Sequence, residues 1–164
     1  MSIKQIVISQ YRNIVNEAAD KMANPFMPNE GWIGTVRKAL NMSGAQLARR
    51  MGVTRARIFK SEKAELSGAV TLKTMQRTAE AMGCRFVYAI IPDQKIEKII
   101  EDQARKKATE LVKRTNIQMA LESQTLSNEK IKFEIDRLTQ EMVKVMPSDF
   151  WDNDKTGSDD DGLS

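Results

Sequence analysis

The chain is 164 residues long, 41% apolar and 29% charged, with a net charge of +4 and a pI near 9.2. That length suits one compact domain with appendages, and the charge excludes a membrane-embedded protein, as no apolar run is long enough to span a bilayer. The absence of histidine and the single cysteine, Cys84, exclude an internal disulfide, a zinc site and a Cys–His nucleophile pair.

No catalytic residue, metal site or cofactor is therefore expected. Met1 to Gln5 does not open a secretory signal, so a cytoplasmic protein is expected. Ile3, Ile6, Val7, Ile14, Val15, Ala18 and Met22 recur at helical spacing, which predicts a first helix over 2–22. Asn24-Pro25-Phe26-Met27-Pro28-Asn29-Glu30-Gly31 then makes a loop, because proline and glycine interrupt helical geometry.

Four short helices are predicted next, over 32–40, 43–51, 54–65 and 71–82. Trp32, Val36 and Leu40 share a face of the first, and Leu47, Ala48 and Met51 of the second. Ile58 anchors the third; Leu72, Met75, Ala79 and Met82 line the fourth. Ser43, Thr54 and Thr71 stand at N-cap positions, and Ser43 with Gln46 forms a capping-box pattern. Gly52 and Gly83 end the second and fourth helices.

From Cys84 to Ile91 the residues become β-branched and aromatic, and Pro92 follows, which predicts one strand. A lone strand leaves its backbone donors and acceptors unpaired. The same strand of a second copy would pair them through Phe86, Val87, Tyr88, Ala89 and Ile90, which predicts a two-fold homodimer. Pairing with an irregular segment near the N-terminus is the alternative.

Helical periodicity returns after Gln94. Ile96, Ile99, Ile100, Ala104, Ala108, Leu111 and Val112 form one stripe, with Lys98, Arg105, Lys106 and Lys113 opposite. Ile131, Ile135, Leu138, Met142 and Val145 form a second stripe at coiled-coil spacing. These read as two helices packed as a hairpin or against a partner chain. Beyond Met146-Pro147 the chain turns acidic, with six Asp and one Lys from Ser148 to Ser164. Disorder is expected there. Phe150-Trp151 would then be part of a solubilising tail, a docking motif, or a segment that competes with DNA for the chain's own basic patch. The organisation is a helix and loop over 1–30, a DNA-binding domain over 31–92, a helical extension for dimer or partner contacts over 93–146, and the tail over 147–164.

Function concentrates between Ser43 and Lys63. Ala48 is small enough for close helix crossing, Gly52 allows a tight turn, Val53 plugs that turn into the core, and Ile58 anchors the next helix. That order of small, glycine and aliphatic residues is the helix-turn-helix pattern. With Ile58 inward, Arg55, Ala56, Phe59 and Lys60 face outward as candidate base-contacting residues. Ser43, Gln46, Thr54, Arg57, Lys63, Thr71 and Lys73 are the candidate phosphate contacts, since helix N-termini and cations bind anions. Eight Lys or Arg stand against one acidic residue, Glu62, from Gly31 to Lys63. An ordinary helical hairpin with a solvated basic face is the plainer reading.

Gly31 to Glu65 resembles the phage-repressor, Cro-type (XRE) helix-turn-helix family. Trp32-Ile33, Val36-Arg37-Lys38-Ala39-Leu40 and Met42-Ser43-Gly44-Ala45-Gln46-Leu47-Ala48 are more specifically similar to the family called mobile mystery protein A. So are Gly68-Ala69-Val70-Thr71-Leu72-Lys73-Thr74, Ala79-Glu80-Ala81, Cys84-Arg85-Phe86-Val87-Tyr88-Ala89, Gln103-Ala104-Arg105-Lys106-Lys107-Ala108 and Met119-Ala120-Leu121-Glu122. The resemblance runs from about Ile3 to Val145. It implies a bacterial, antitoxin-like repressor of its own operon, encoded beside a Fic-domain protein (mobile mystery protein B). The Fic-inhibitory pattern is absent: Thr125 and Glu129 have its spacing, but Lys130 follows. Gly44 stands where that repressor pattern often has glutamine, Ser61 where it is usually apolar, and Phe59 where a small polar residue is common.

The expected fold is mainly α: a Cro-like helix-turn-helix domain with one β-strand paired across a homodimer, and a C-terminal helical extension. The expected function is double-stranded DNA binding at a pseudo-palindromic operator, at the nucleoid and without a membrane partner. The competing expectation is a protein-binding module that acts on a partner through the C-terminal helices.

Overall fold

The structure, a computed structural model, describes residues 1–24, 27–121 and 127–153. Seven helices form among them: α1 (Ile3–Lys21), α2 (Gly31–Ala39), α3 (Gly44–Met51), α4 (Arg55–Ser67), α5 (Leu72–Ala81), α6 (Ile96–Leu121) and α7 (Asn128–Val145). They fall into two compact units, Met1–Ala19 with Pro92–Ser164, and Asp20–Ile91. Most of α1 thus groups with the C-terminal helices rather than standing apart with the loop that follows it. Pro25, Phe26, Glu122, Thr125 and the Asp159–Asp161 run lie outside the described residues.

The unit over 20–91 is built on α2 to α5. Ile33, Leu47, Ala48, Ile58, Met75 and Met82 form its buried core, and Val36, Met51, Val53 and Phe86 pack against them. Each fully buried aliphatic side chain contributes about 1.5–3 kcal/mol by leaving water. Local chemistry sets where the helices start. The Ser43 hydroxyl accepts from the Gln46 amide N–H, and the Gln46 side-chain oxygen accepts from Ser43 N–H, completing the capping box. Thr54 and Thr71 accept in the same way from Arg57 N–H and Thr74 N–H. Thr78 is buried on α5, and its hydroxyl donates to the Thr74 carbonyl at 2.7 Å, so no polar group is stranded there.

The strand expected over 84–91 does not form in the single chain. Those residues are neither helical nor paired in a ladder within the described chain. A strand exists only by its partner, and no other described segment offers an edge. Phe86 packs onto the domain core and stacks on Tyr88, with ring centroids 5.8 Å apart, while Val87, Tyr88, Ala89 and Ile90 stay exposed.

In the other unit, Ile100, Ala104, Ala108 and Val112 form the buried stripe of α6 at intervals of four. Leu111, expected in that stripe, is 43% exposed because it sits at the stripe's edge. The two alanines keep α6 slim where α7 approaches, and Thr139 of α7 is buried with its hydroxyl donating to the Ile135 carbonyl. Ile100 and Ala104 share a cluster with Met142, Val143 and Met146, and Arg105 pairs with Asp136 at 2.7 Å. Those pairings run in opposite chain directions, so α6 and α7 are an antiparallel hairpin. Arg105, expected on the solvated face, bridges the two helices instead.

The segment expected to be disordered from 147 begins as a packed turn. Phe150 N–H donates to the Pro147 carbonyl, and its ring is 2% exposed against Ile100 and Ala104. Gln103 donates to the Phe150 carbonyl at 2.7 Å. The ring's packing on α6 and the Gln103 hydrogen bond together anchor this turn although the composition around it is acidic. At the start of α6, beside the same cluster, Asn16 of α1 caps the helix. Its side-chain oxygen accepts from Ile96 N–H at 3.1 Å, and its amide donates to Glu97.

Candidate nucleic-acid interface

The turn between α3 and α4 fixes the site. Gly52 has φ +67, a left-handed conformation that side chains disfavour, and it ends α3. Val53 N–H reaches back to the Ala48 carbonyl at 3.0 Å, and Val53 packs against the core. A Cβ added at Gly44 would lie 3.9 Å from the Arg55 side chain, so the starts of α3 and α4 adjoin.

Ile58 is 2% exposed and points α4 into the core. Arg55, Ala56, Arg57, Phe59, Lys60 and Lys63 are all exposed. Thr54, Ala56, Arg57 and Lys60 share one open groove with Thr71 and Thr74, between the starts of α4 and α5. The structure thus brings together five of the residues expected to touch DNA. Ser43 and Gln46 sit apart from that groove at the start of α3, exposed but tied to each other. Lys73 is exposed on α5 outside the groove lining. Phe59 is 59% exposed, and the Lys63 ammonium lies 4.7 Å from its ring centroid.

The basic run divides into two classes. Arg37 is mostly covered; it donates to Glu62 of α4 at 2.7 Å and to the Met42 carbonyl at 3.0 Å. Lys38 bonds Glu30, whose carboxyl it holds below the usual carboxylate range by that hydrogen bond and by its charge. Both cations are thus occupied within the fold, Arg37 as a covered bridge between α2 and α4 and Lys38 in an exposed pair. Arg49, Arg50, Arg55, Arg57, Lys60 and Lys63 have no carboxylate partner among the described residues. Arg50 donates to the Ala81 carbonyl at the end of α5, where a cation also suits the helix dipole.

Three features escaped the sequence. Arg77 of α5 lines a second groove with Arg50 and Arg57, and Glu80 is the acidic member of that lining. Glu65, in the last turns of α4, accepts from Trp32 N–H at 2.6 Å and from Ile33 N–H at 3.0 Å. It thereby caps α2. Gly31 makes room for that carboxylate, because a Cβ there would lie 2.7 Å from its oxygen.

A basic helix with its outer face open is therefore flanked by two capped helix starts. Residues 33–88 match the helix-turn-helix family model HTH_3. This segment is a helix-turn-helix domain of the XRE type. No curated protein and no solved structure matches the chain. In the helix-turn-helix domain α3 is the first helix and α4 the second, whose outer face is the one that enters a major groove in such domains. The domain supports a DNA-binding regulator, and its family is regulatory rather than catalytic. No helix among the described residues is long and apolar enough to cross a membrane.

Proposed function

We propose that the protein is a sequence-specific transcriptional regulator that binds double-stranded DNA as a two-fold homodimer. The observation that carries this reading is the open basic face of α4 inside a helix-turn-helix domain. Arg55, Ala56, Phe59 and Lys60 read base edges; Ser43, Gln46, Thr54, Arg57, Lys63, Thr71 and Lys73 hold phosphates. Residues 86–90 pair with a second copy, so the operator is pseudo-palindromic with half-sites about 34–36 Å apart or a multiple. The similarity to mobile mystery protein A supports an antitoxin-like role in the bacterial cytoplasm, repressing an operon shared with a Fic-domain protein. The test is binding to the DNA upstream of its own gene, against a scrambled duplex, over a salt series. Selective binding that weakens steeply with salt is expected.

A second reading draws on the other unit. Ile117 and Leu121 of α6 and Phe133 of α7 are 64%, 84% and 69% exposed, a surface for a protein partner. In that reading the C-terminal helices bind a partner without specific DNA binding. Equal, weak binding to both duplexes would favour it.

A further inference from the structure

The outer face of α4 carries an aromatic ring among its cations. Phe59 is 59% exposed although nothing in the fold requires it there, and Ile58 beside it fills the core. An exposed ring in the middle of a basic face loses contact with water favourably only when an apolar surface meets it. Among the groups that the major groove presents, the C5-methyl of thymine is the apolar one. The Lys63 ammonium lies 4.7 Å from the ring centroid, one turn further along α4. A cation at that distance is attracted to the ring face. With Lys63 over the ring, Phe59 still keeps more than half of its surface exposed for an apolar contact.

We infer that Phe59 is a specificity-determining residue that selects thymine through its methyl group, and that Lys63 is its positioning residue. This rests on the reading of the protein as a DNA-binding regulator. Burying one methyl corresponds to a factor of about three to five in affinity. Selection therefore falls on thymine over cytosine or uracil at one step in each half-site. The positive charges at Arg55 and Lys60 supply attraction that does not depend on this methyl.

The test uses the full chain. A duplex is selected by the wild-type protein from a random library, then resynthesised with deoxyuridine replacing one thymidine at a time. Uracil keeps every hydrogen-bonding group of thymine and lacks only the methyl. Wild type should lose about threefold to fivefold at one position per half-site. Phe59→Ala should bind thymine and uracil duplexes equally, and Lys63→Ala should narrow the difference while Lys63→Arg restores it. The thymine-to-uracil ratio is insensitive to partial unfolding, because both duplexes are measured with the same protein sample. If a motif is selected and every uracil replacement is neutral, or weakens wild type and Phe59→Ala alike, this inference is overturned and DNA binding stands. If no sequence is enriched, the DNA-binding reading itself falls, and this inference with it.

Discussion

Two arginines separated by eighteen positions illustrate how little charge alone says about a residue's work. Arg37 is largely covered and holds both Glu62 and the Met42 carbonyl, whereas Arg55 is exposed at the start of α4. Arg37→Ala should cost about 2 kcal/mol in urea unfolding, because it strands a partly buried carboxylate and a carbonyl. Arg55→Ala should leave stability within about 0.5 kcal/mol and weaken operator binding by about 1–3 kcal/mol. Unchanged stability in Arg37→Ala would refute the structural assignment. Gly31 poses a sharper case. Its φ is +80, and a Cβ would meet the Glu65 carboxylate at 2.7 Å. Gly31→Ala should therefore lose about 1–3 kcal/mol from strain alone. Glu65→Ala removes the same cap from the other side, so the double variant should cost less than the two single losses added. The caps at Ser43, Thr54 and Thr71 are legible in the sequence because capping is settled within three residues. The Glu65 cap on α2 is not, since more than thirty residues separate its two halves and nothing local distinguishes this glutamate from its neighbours.

At the scale of elements, helices that carry their own stop and start signals are readable, and those defined by a distant partner are not. The α3–α4 turn follows from Ala48, Gly52, Val53 and Ile58, all close in sequence. Residues 84–91 have the composition of a strand but join no ladder among the described residues of one chain, because what a strand pairs with is not written in its own composition. The acidic stretch after Pro147 hides the reverse case, a single anchor. Phe150→Ala should remove about 3 kcal/mol of packing, read as faster amide exchange in α6 and α7 with the amides of α3 and α4 unaffected. Equal exchange in wild type and variant would mean that the ring adds nothing to the hairpin. Acid should act at the start of α6. The Glu97 carboxyl is held below its ordinary range first by a hydrogen bond from its own backbone and then by the Asn16 amide. Its contribution is present above the unfolded carboxylate range near pH 4 and is lost as pH falls through the lower folded value. Amide exchange at Ile96 should accordingly quicken below that range, and Asn16→Ala should blunt the dependence.

At the scale of the whole molecule, assembly turns on the exposed residues 87–90. Ile90 is 94% exposed, so Ile90→Asp should leave the fold of the single chain intact. If the segment pairs with a second copy, that variant should sediment as a monomer, and its operator affinity should drop to that of one half-site. A variant that stays dimeric would move the interface elsewhere, for example to the apolar side of α1, where Ile3, Tyr11 and Ile14 are 81%, 67% and 63% exposed. The basic helix-turn-helix face was legible from the chain because it is one contiguous run. The grouping of α1 with the C-terminal helices was not, because it rests on Asn16 meeting Ile96 across eighty positions.

The Glu65 cap also bears on how this protein can change over generations. One helix, α4, both presents its open basic face outward and reaches back with Glu62 and Glu65 to hold α2 in place. Variation is thereby partitioned along a single helix. On the proposed base contacts, exchange at positions 55, 56, 59 and 60 should give a new operator, while 58, 62 and 65 should have to stay for the exchange to yield a folded protein. A lineage built this way would drift to new binding sites by surface substitutions alone, and a graft of those four outward residues between relatives should carry its specificity with it.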